Sequence, residues 1–446
     1  MEGLVMTAQI ILSFSILVGL HELGHLIAAK FFKMRVEKFS IGFPPKLFGI
    51  KIGDTEYSVG AFPIGGYVKI AGMIDESLDT KAIKEPPKEY EFRAKPAWQR
   101  LIVMMGGVVV NVILGVVIFI CITYFIGDNY ISKDEVNKNG IEALEIGQKI
   151  GFETGDKIIL INGKEFEDFA DVRSAEVLLG SNSYYTVLRG NKKIDIFAPA
   201  NLLELLSDRK AQLNFIEPRY PFEVGAISPG SEAERLGLMK GDRIIAIGDK
   251  LVEYFPDFNR EKMKYAGRDI QFTVKRGNQI LQMEAHLDST ALIGFKPELL
   301  IKTIHKEYSL AEAIPTGTQR AFSAVWVNAR ALGKIFKGEI NPSKSLMGPI
   351  RIATEIFGGT WDWAWFWSIT GLLSMVLAFI NFLPIPALDG GHVMFLTFEI
   401  ISGRKPSDKF LEVAQKTGML LLMLLMAFVI FNDIFRLEFI QKLIGG

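Results

Sequence analysis

Four stretches of this 446-residue chain are almost free of charge: 4–29, 101–126, 363–388 and 417–432. A helix crosses a bilayer with roughly 20 apolar residues. In lipid every backbone polar group must be satisfied within the segment itself, which leaves helices or closed barrels as the spanning structures. The first three stretches are long enough to span. The fourth is short, and Lys416 at its end can snorkel to the interface. The chain is therefore expected to be a polytopic α-helical membrane protein with four transmembrane helices. The alternative, buried helices of a large soluble domain, does not call for runs of this length.

Short flanking segments set the expected orientation. No Lys or Arg precedes Leu4, whereas Lys30, Lys33, Arg35 and Lys38 follow the first stretch. Lys95 and Arg100 lead into the second, and Arg404, Lys405, Lys409 and Lys416 lie between the third and fourth. The positive-inside rule then puts 30–100 and 390–416 in the cytoplasm. Both termini and the region 128–362 are expected outside. The first stretch is too long for a cleavable signal peptide, and basic residues follow it instead of preceding it. With 50 basic and 50 acidic residues the formal charge is zero, which offers nucleic acid no electrostatic footprint. The single cysteine, Cys121, excludes an intramolecular disulfide and any CxxC metal site.

The outer region contains a repeat. "GFETGDKIILINGK" from Gly151 matches "GLMKGDRIIAIGDK" from Gly237 without a gap, 86 residues on. Each copy reads as a glycine turn, a short strand and a second turn. That period is too long for a solenoid and fits two tandem small β-rich domains.

The polar groups inside the greasy segments carry the chemistry. "VGLHELGHLIAAKFF" (18–32) places His21, Glu22 and His25 in the first expected membrane helix. Residues four apart share one helix face, so both imidazoles can reach one metal ion, with Glu22 beside it as acid/base. Ionisable groups in a membrane helix cost about 3 kcal/mol each on insertion scales and default to a functional reading. A catalytic zinc usually takes three protein ligands and keeps one open position. The third stretch ends "NFLPIPALDGGHV" (381–393), where Asp389 is the first charge, and it is the expected third ligand. His392 is a rival ligand or, preferably, an outer partner to Asp389. Pro384 and Pro386 break the helix and free backbone groups that protein or water must satisfy.

HELGH in a first membrane segment, a distal NxxPxPxLDG and an intervening "VGAISPGSEAERLGLMKGD" (224–242) together resemble the site-2 protease family of intramembrane zinc metalloproteases. The last stretch resembles the PDZ signature of bacterial proteases; the first copy is more divergent and lacks PGSxA. Order and layout are similar to the RseP-type (regulator of sigma-E protease) branch. The resemblance implies one Zn²⁺ per chain on His21, His25 and Asp389, with Glu22 catalytic. It implies that Asn381 helps hold the substrate backbone. Residues 42–73 resemble the family's cytoplasmic, membrane-associated β-hairpin region, whose strand 55–70 could pair with an unwound substrate by β-addition. Gly65, Gly66, Tyr67, Pro384 and Pro386 complete the expected substrate-binding set. One departure is "MMGGVVVN" (104–111), where the family often has a Gly-Pro step.

The expected domains are 1–33 (first helix with HExxH), 34–98 (β-region and loop), 99–127 (second helix), 128–218 and 219–308 (two PDZ domains), 309–360 (amphipathic helices), 361–390 (third helix) and 391–446 (loop, fourth helix and tail). The implied partners are the lipid bilayer, a single-span membrane substrate such as an anti-sigma factor, and peptide segments at the PDZ domains. The implied place is the bacterial inner membrane, with the active site towards the cytoplasm. A zinc-stabilised, non-hydrolytic scaffold or chaperone is the competing reading, and Glu22 discriminates, because a structural metal site has no use for it. A metal transporter is weaker: only one intramembrane polar cluster is visible.

Overall fold

The structure, a computed structural model, describes residues 2–73, 86–180, 182–206 and 214–435. Part of the expected loop after the β-region (74–85) and the C-terminal tail beyond 435 lie outside the described residues. The chain divides into two compact units, one comprising Met1–Gly127, Glu307–Ile335 and Asn341–Gly446, the other Asp128–Lys306 with Phe336–Ile340.

The first unit is helical. Its main helices are α1 (Glu2–Phe31), α2 (Ala97–Phe125), α3 (Leu310–Phe336), α4 (Trp363–Phe382), α5 (Asp389–Ser402) and α6 (Asp408–Phe435). Of these, α1, α2, α4 and α6 are long and apolar enough to cross a membrane. The fourth span runs well beyond the 417–432 stretch, because Lys409, Glu412 and Lys416 continue the helix as a charged first part. The third ends sooner than its apolar stretch: α4 stops at Phe382, and Asp389 opens a separate helix.

Lipid gives apolar side chains little reason to prefer one another, so membrane helices associate through close approach and hydrogen bonds. α1 and α2 use a reciprocal glycine contact. A Cβ at Gly24 would lie 2.3 Å from the Gly106 carbonyl oxygen, and one at Gly106 would lie 2.6 Å from that of Gly24. Buried polar side chains link the rest. Thr370 of α4 donates to Ser13 of α1 at 3.0 Å, and Ser374 donates to the Asn111 carbonyl of α2 at 2.8 Å. Gln9 donates to the carbonyls of Gly358 and Thr360 at 3.0 and 3.3 Å. The 309–360 region is not one helical stretch. α3 buries Ala313, Gly317 and Ala321 at helical spacing, and after it come short turns at Pro342–Ser345 and Pro349–Arg351 and a π-helical turn at Ile352–Phe357.

The expected hairpin is more elaborate than a hairpin. β1 (Val36–Ile52) and β2 (Thr55–Ile70) each fold back on themselves. Phe39 pairs with both Val68 and Tyr57, and Phe48 pairs with Val59. The register therefore places four segments side by side: 66–70, 36–41, 55–60 and 46–52. Residues 66–70 form an edge whose outer side pairs with no strand among the described residues.

The second unit holds two β-rich halves, each with its own apolar core. The first half has the sheet β5–β6–β7 and the pair β4–β8, where β4 is Ile141–Ala143, β5 Lys157–Ile161, β6 Tyr184–Arg189, β7 Lys192–Phe197 and β8 Ile216–Pro218. The second has the sheet β11–β10–β12–β13 and the pair β14–β9, from β9 (Phe222–Ile227), β10 (Arg243–Ile247), β11 (Lys250–Leu251), β12 (Asp269–Arg276), β13 (Gln279–His286) and β14 (Phe295–Leu299). The strand β3 (Asp128–Tyr130) pairs with β15 (Ile304–Lys306), bringing the two ends of this unit together.

The sequence repeat is also a repeat of bonds. Arg189 donates from Nε and Nη2 to the Asp156 carboxylate, both at 2.8 Å, and to the Gly151 carbonyl at 2.7 Å. Arg276 does the same to Asp242, at 2.8 and 2.7 Å, and to the Gly237 carbonyl at 2.7 Å. Burial opposes ionisation of Asp242, but the Arg276 fork and the Met239 N–H outweigh it and hold its carboxyl below the ordinary range. Asp156 and Asp242 are each 1% exposed, which is why the aspartate after the glycine turn recurs in both copies.

Candidate metal centre and cleft

His21 and His25 lie one turn apart on α1, with exposures of 7% and 6%. Their Nε2 atoms are 3.3 Å apart. Asp389, in the first turn of α5, brings its Oδ2 to 3.1 Å from His21 Nε2 and 3.3 Å from His25 Nε2. Three donor atoms thus form a near-equilateral triangle. Zinc ligands at about 2.0–2.1 Å in a tetrahedral arrangement are separated by about 3.3 Å. The three groups therefore fit one face of a zinc tetrahedron, and Asp389 Oδ2 has no hydrogen-bond partner of its own. His21, His25 and Asp389 are also the one group of this kind found among the described residues.

The tautomer of His25 is fixed by its surroundings. Its Nδ1 lies 2.8 Å from the Val103 carbonyl oxygen of α2, which can only accept, so the proton is on Nδ1 and the Nε2 lone pair faces the triangle. α2 comes this close because of Gly107. A Cβ there would lie 2.5 Å from His25 Nε2 and 2.6 Å from His21 Cε1. The sequence flagged the lack of proline here; the structure shows that the space beside the rings is what this stretch supplies. Asn111, one turn further along α2, is fully buried and places Nδ2 3.2 Å from His21 Nδ1. Sequence reasoning missed both Val103 and Asn111. A lone asparagine in a 26-residue apolar stretch was the available signal for the second.

The loop between α4 and α5 positions Asp389. Pro384 and Pro386 cannot continue a helix, and Ala387 takes φ +85°, a conformation that costs a residue with a Cβ. Its N–H donates to Gln415 Oε1 of α6 at 3.3 Å, so the fourth span holds the loop. Asn381, on the last turn of α4, brings Nδ2 to 3.3 Å from His21 Nε2.

These groups open on a cavity of about 720 Å³. Glu22, Asn381, His392, Gly65, Gly66 and Tyr67 all line it with the three donors. Pro384 and Pro386 do not line it; Pro386 packs against Gly418 of α6. His392 makes no hydrogen bond to Asp389 in the described structure, and the partners that orient the rings come from α2 instead. The outer edge of β2 runs beside Glu22. A Cβ at Gly66 would lie 2.9 Å from Val18 Cγ1 and 3.3 Å from Glu22 Cγ, so glycine is what lets the strand approach α1.

Comparison with known proteins adds an independent line. The model of Peptidase family M50 matches residues 9–425. A Yersinia pestis protein named Protease RseP is 26% identical, with 96% of this chain and 98% of that protein covered. A Haemophilus influenzae protein named Regulator of sigma E protease is also 26% identical over 96% of this chain and 98% of its own length. A Neisseria meningitidis relative, 27% identical over 95% of this chain and 97% of its own, carries the name of a zinc metalloprotease.

Proposed function

The chain belongs to peptidase family M50, the site-2 protease family, and is a multi-pass zinc metalloprotease; from this premise we propose that it hydrolyses a peptide bond within or near the membrane span of a single-span protein. The observation that carries the reading is the donor triangle of His21, His25 and Asp389 beside Glu22, set between membrane-length helices.

His21 Nε2, His25 Nε2 and Asp389 Oδ2 would hold the zinc, which when bound would supply Lewis acidity towards a water and a peptide carbonyl. Glu22 takes a proton from the attacking water and delivers it to the departing amide nitrogen. Asn381, beside His21, is placed to hydrogen-bond the substrate backbone at the cleft. A substrate helix hides its carbonyls in its own i→i−4 bonds, so the scissile stretch must unwind. The outer edge of 66–70, which pairs with no strand among the described residues, is assigned to strand addition next to the catalytic glutamate. His392 is assigned to shaping the cleft.

The two β-rich halves of the second unit are read as PDZ domains lying outside the membrane, with 30–100 and 390–416 inside the cell. One difference between the halves bears on which one takes a peptide. In the first, alternation along β8 turns the Ile216 carbonyl to the free edge, and Arg173 donates to it at 2.5 Å, occupying the acceptor a peptide would use. Carrying the 86-residue offset of the repeat onward places Asn259 at this position, so peptide capture is assigned to the second domain. The substrate class is proposed, on the family resemblance of the sequence, to be an anti-sigma factor already shortened by an earlier cut outside the membrane. The scaffold reading keeps the metal and the PDZ domains but leaves Glu22 and the cleft without a task.

Removing the metal tests the enzymatic reading. Protein purified in detergent is expected to cut a single-span test substrate, to lose more than nine-tenths of that activity on treatment with a zinc chelator, and to regain it with about one zinc per chain. Cleavage unaffected by complete zinc removal would overturn it.

A further inference from the structure

We propose that Asn111 is a positioning residue for the metal centre: its side-chain carbonyl oxygen accepts the Nδ1–H of His21 and so holds the Nε2 lone pair on the metal. The proposal rests on the metal-centre reading above and concerns a residue that is outside the ligand set.

The argument starts from proton counting. A neutral imidazole carries one N–H and one lone pair. His21 Nε2 is the atom that converges with His25 Nε2 and Asp389 Oδ2, at 3.3 and 3.1 Å. If its lone pair serves a metal, the proton must sit on Nδ1 and needs an acceptor. His25 solves the same problem with the Val103 carbonyl. For His21 the group in reach is Asn111, which is fully buried, so water does not compete.

The amide of Asn111 stands with Nδ2 towards His21 Nδ1, at 3.2 Å. That orientation suits the other tautomer, in which Nδ1 accepts and Nε2–H donates to Asp389. It would set two donors against each other once Nδ1 carries the proton. A half-turn about Cβ–Cγ exchanges Oδ1 and Nδ2 within almost the same volume. The half-turn gives up no other bond, because Asn111 Oδ1 is buried with no partner where it stands. The backbone stays fixed throughout: Ser374 Oγ donates to the Asn111 carbonyl at 2.8 Å and ties this turn of α2 to α4. Metal loading, the His21 tautomer and the Asn111 amide are thereby coupled. Outer partners of this kind change metal affinity by roughly 10- to 100-fold.

The test compares Asn111→Leu, close in volume with no acceptor, and Asn111→Asp, which presents oxygen in either orientation. Zinc affinity of the full-length protein is measured by competition with a chelator, and the cobalt-substituted protein is examined by its visible ligand-field spectrum. Asn111→Leu is expected to bind zinc about 10- to 100-fold more weakly and to shift the cobalt bands. Asn111→Asp is expected to bind within about threefold of wild type or more tightly, with wild-type bands. Leucine binding within twofold of wild type, or aspartate failing as badly as leucine with helix content intact, would overturn the proposal. Should the leucine variant not fold, ¹⁵N-histidine NMR of the zinc-loaded wild type decides. A slowly exchanging Nδ1–H on His21 supports an internal acceptor; a fast-exchanging one excludes it. A wild type that binds no zinc refutes the metal-centre reading itself, whereas normal wild-type binding with an indifferent Asn111 refutes this inference alone.

Discussion

Glu22→Gln is expected to keep zinc and fold while losing turnover by a factor of roughly 10²–10⁴. Gln preserves the size of the side chain and its place in the cleft. It removes the carboxylate beside the three donors that accepts a proton from water and passes it on. None of the three donor atoms belongs to Glu22, so metal content should stay at one per chain. Cleavage of a single-span substrate, measured beside zinc content on the same preparation, checks both halves. Activity within tenfold of wild type would favour the scaffold reading.

Asp389→Ala is expected to strip the protein of most of its zinc, and of activity with it. Two imidazoles on one helix supply two ligands, and the third edge of the triangle comes from Asp389 Oδ2 at 3.1 and 3.3 Å. A catalytic zinc commonly needs three protein ligands, and Asn381, 3.3 Å from His21 Nε2, is a poor substitute because its amide is uncharged. Metal analysis after purification should show well under half the wild-type zinc. Retention of full zinc and full activity would remove Asp389 from the ligand set. Because Asp389 begins α5 and does not lie inside a span, its loss should leave the four long helices in place, which circular dichroism can verify.

Much of this was legible in the residues, for identifiable reasons. The spans were readable because lipid demands an unbroken apolar run. The histidine pair was readable because a helix converts a spacing of four into a shared face. The repeat at Gly151 and Gly237 was readable because each turn is tied down by the same buried Asp–Arg fork. What stayed hidden depends on long-range register. Nothing local says that β1 and β2 each fold back to give four segments, since that pairing is set between residues such as Phe39, Tyr57 and Val68. The helix break is anticipated from Pro384 and Pro386, yet neither lines the cleft, and the backbone of Pro386 faces Gly418 of α6, a contact between segments more than 30 residues apart. Asn111 and Val103 were missed because one is a single polar residue in a greasy run and the other acts through its carbonyl, which no side-chain pattern reveals.

The central claim is that hydrolysis takes place at the membrane, at a metal centre built between spanning helices. The most direct measurement is to reconstitute the protein in lipid with a single-span substrate and to identify both product termini by mass spectrometry. The account predicts a new terminus inside the apolar span or within a few residues of it, absent with Glu22→Gln. Cuts confined to water-exposed segments far from the span, or the same cuts by Glu22→Gln, would contradict it.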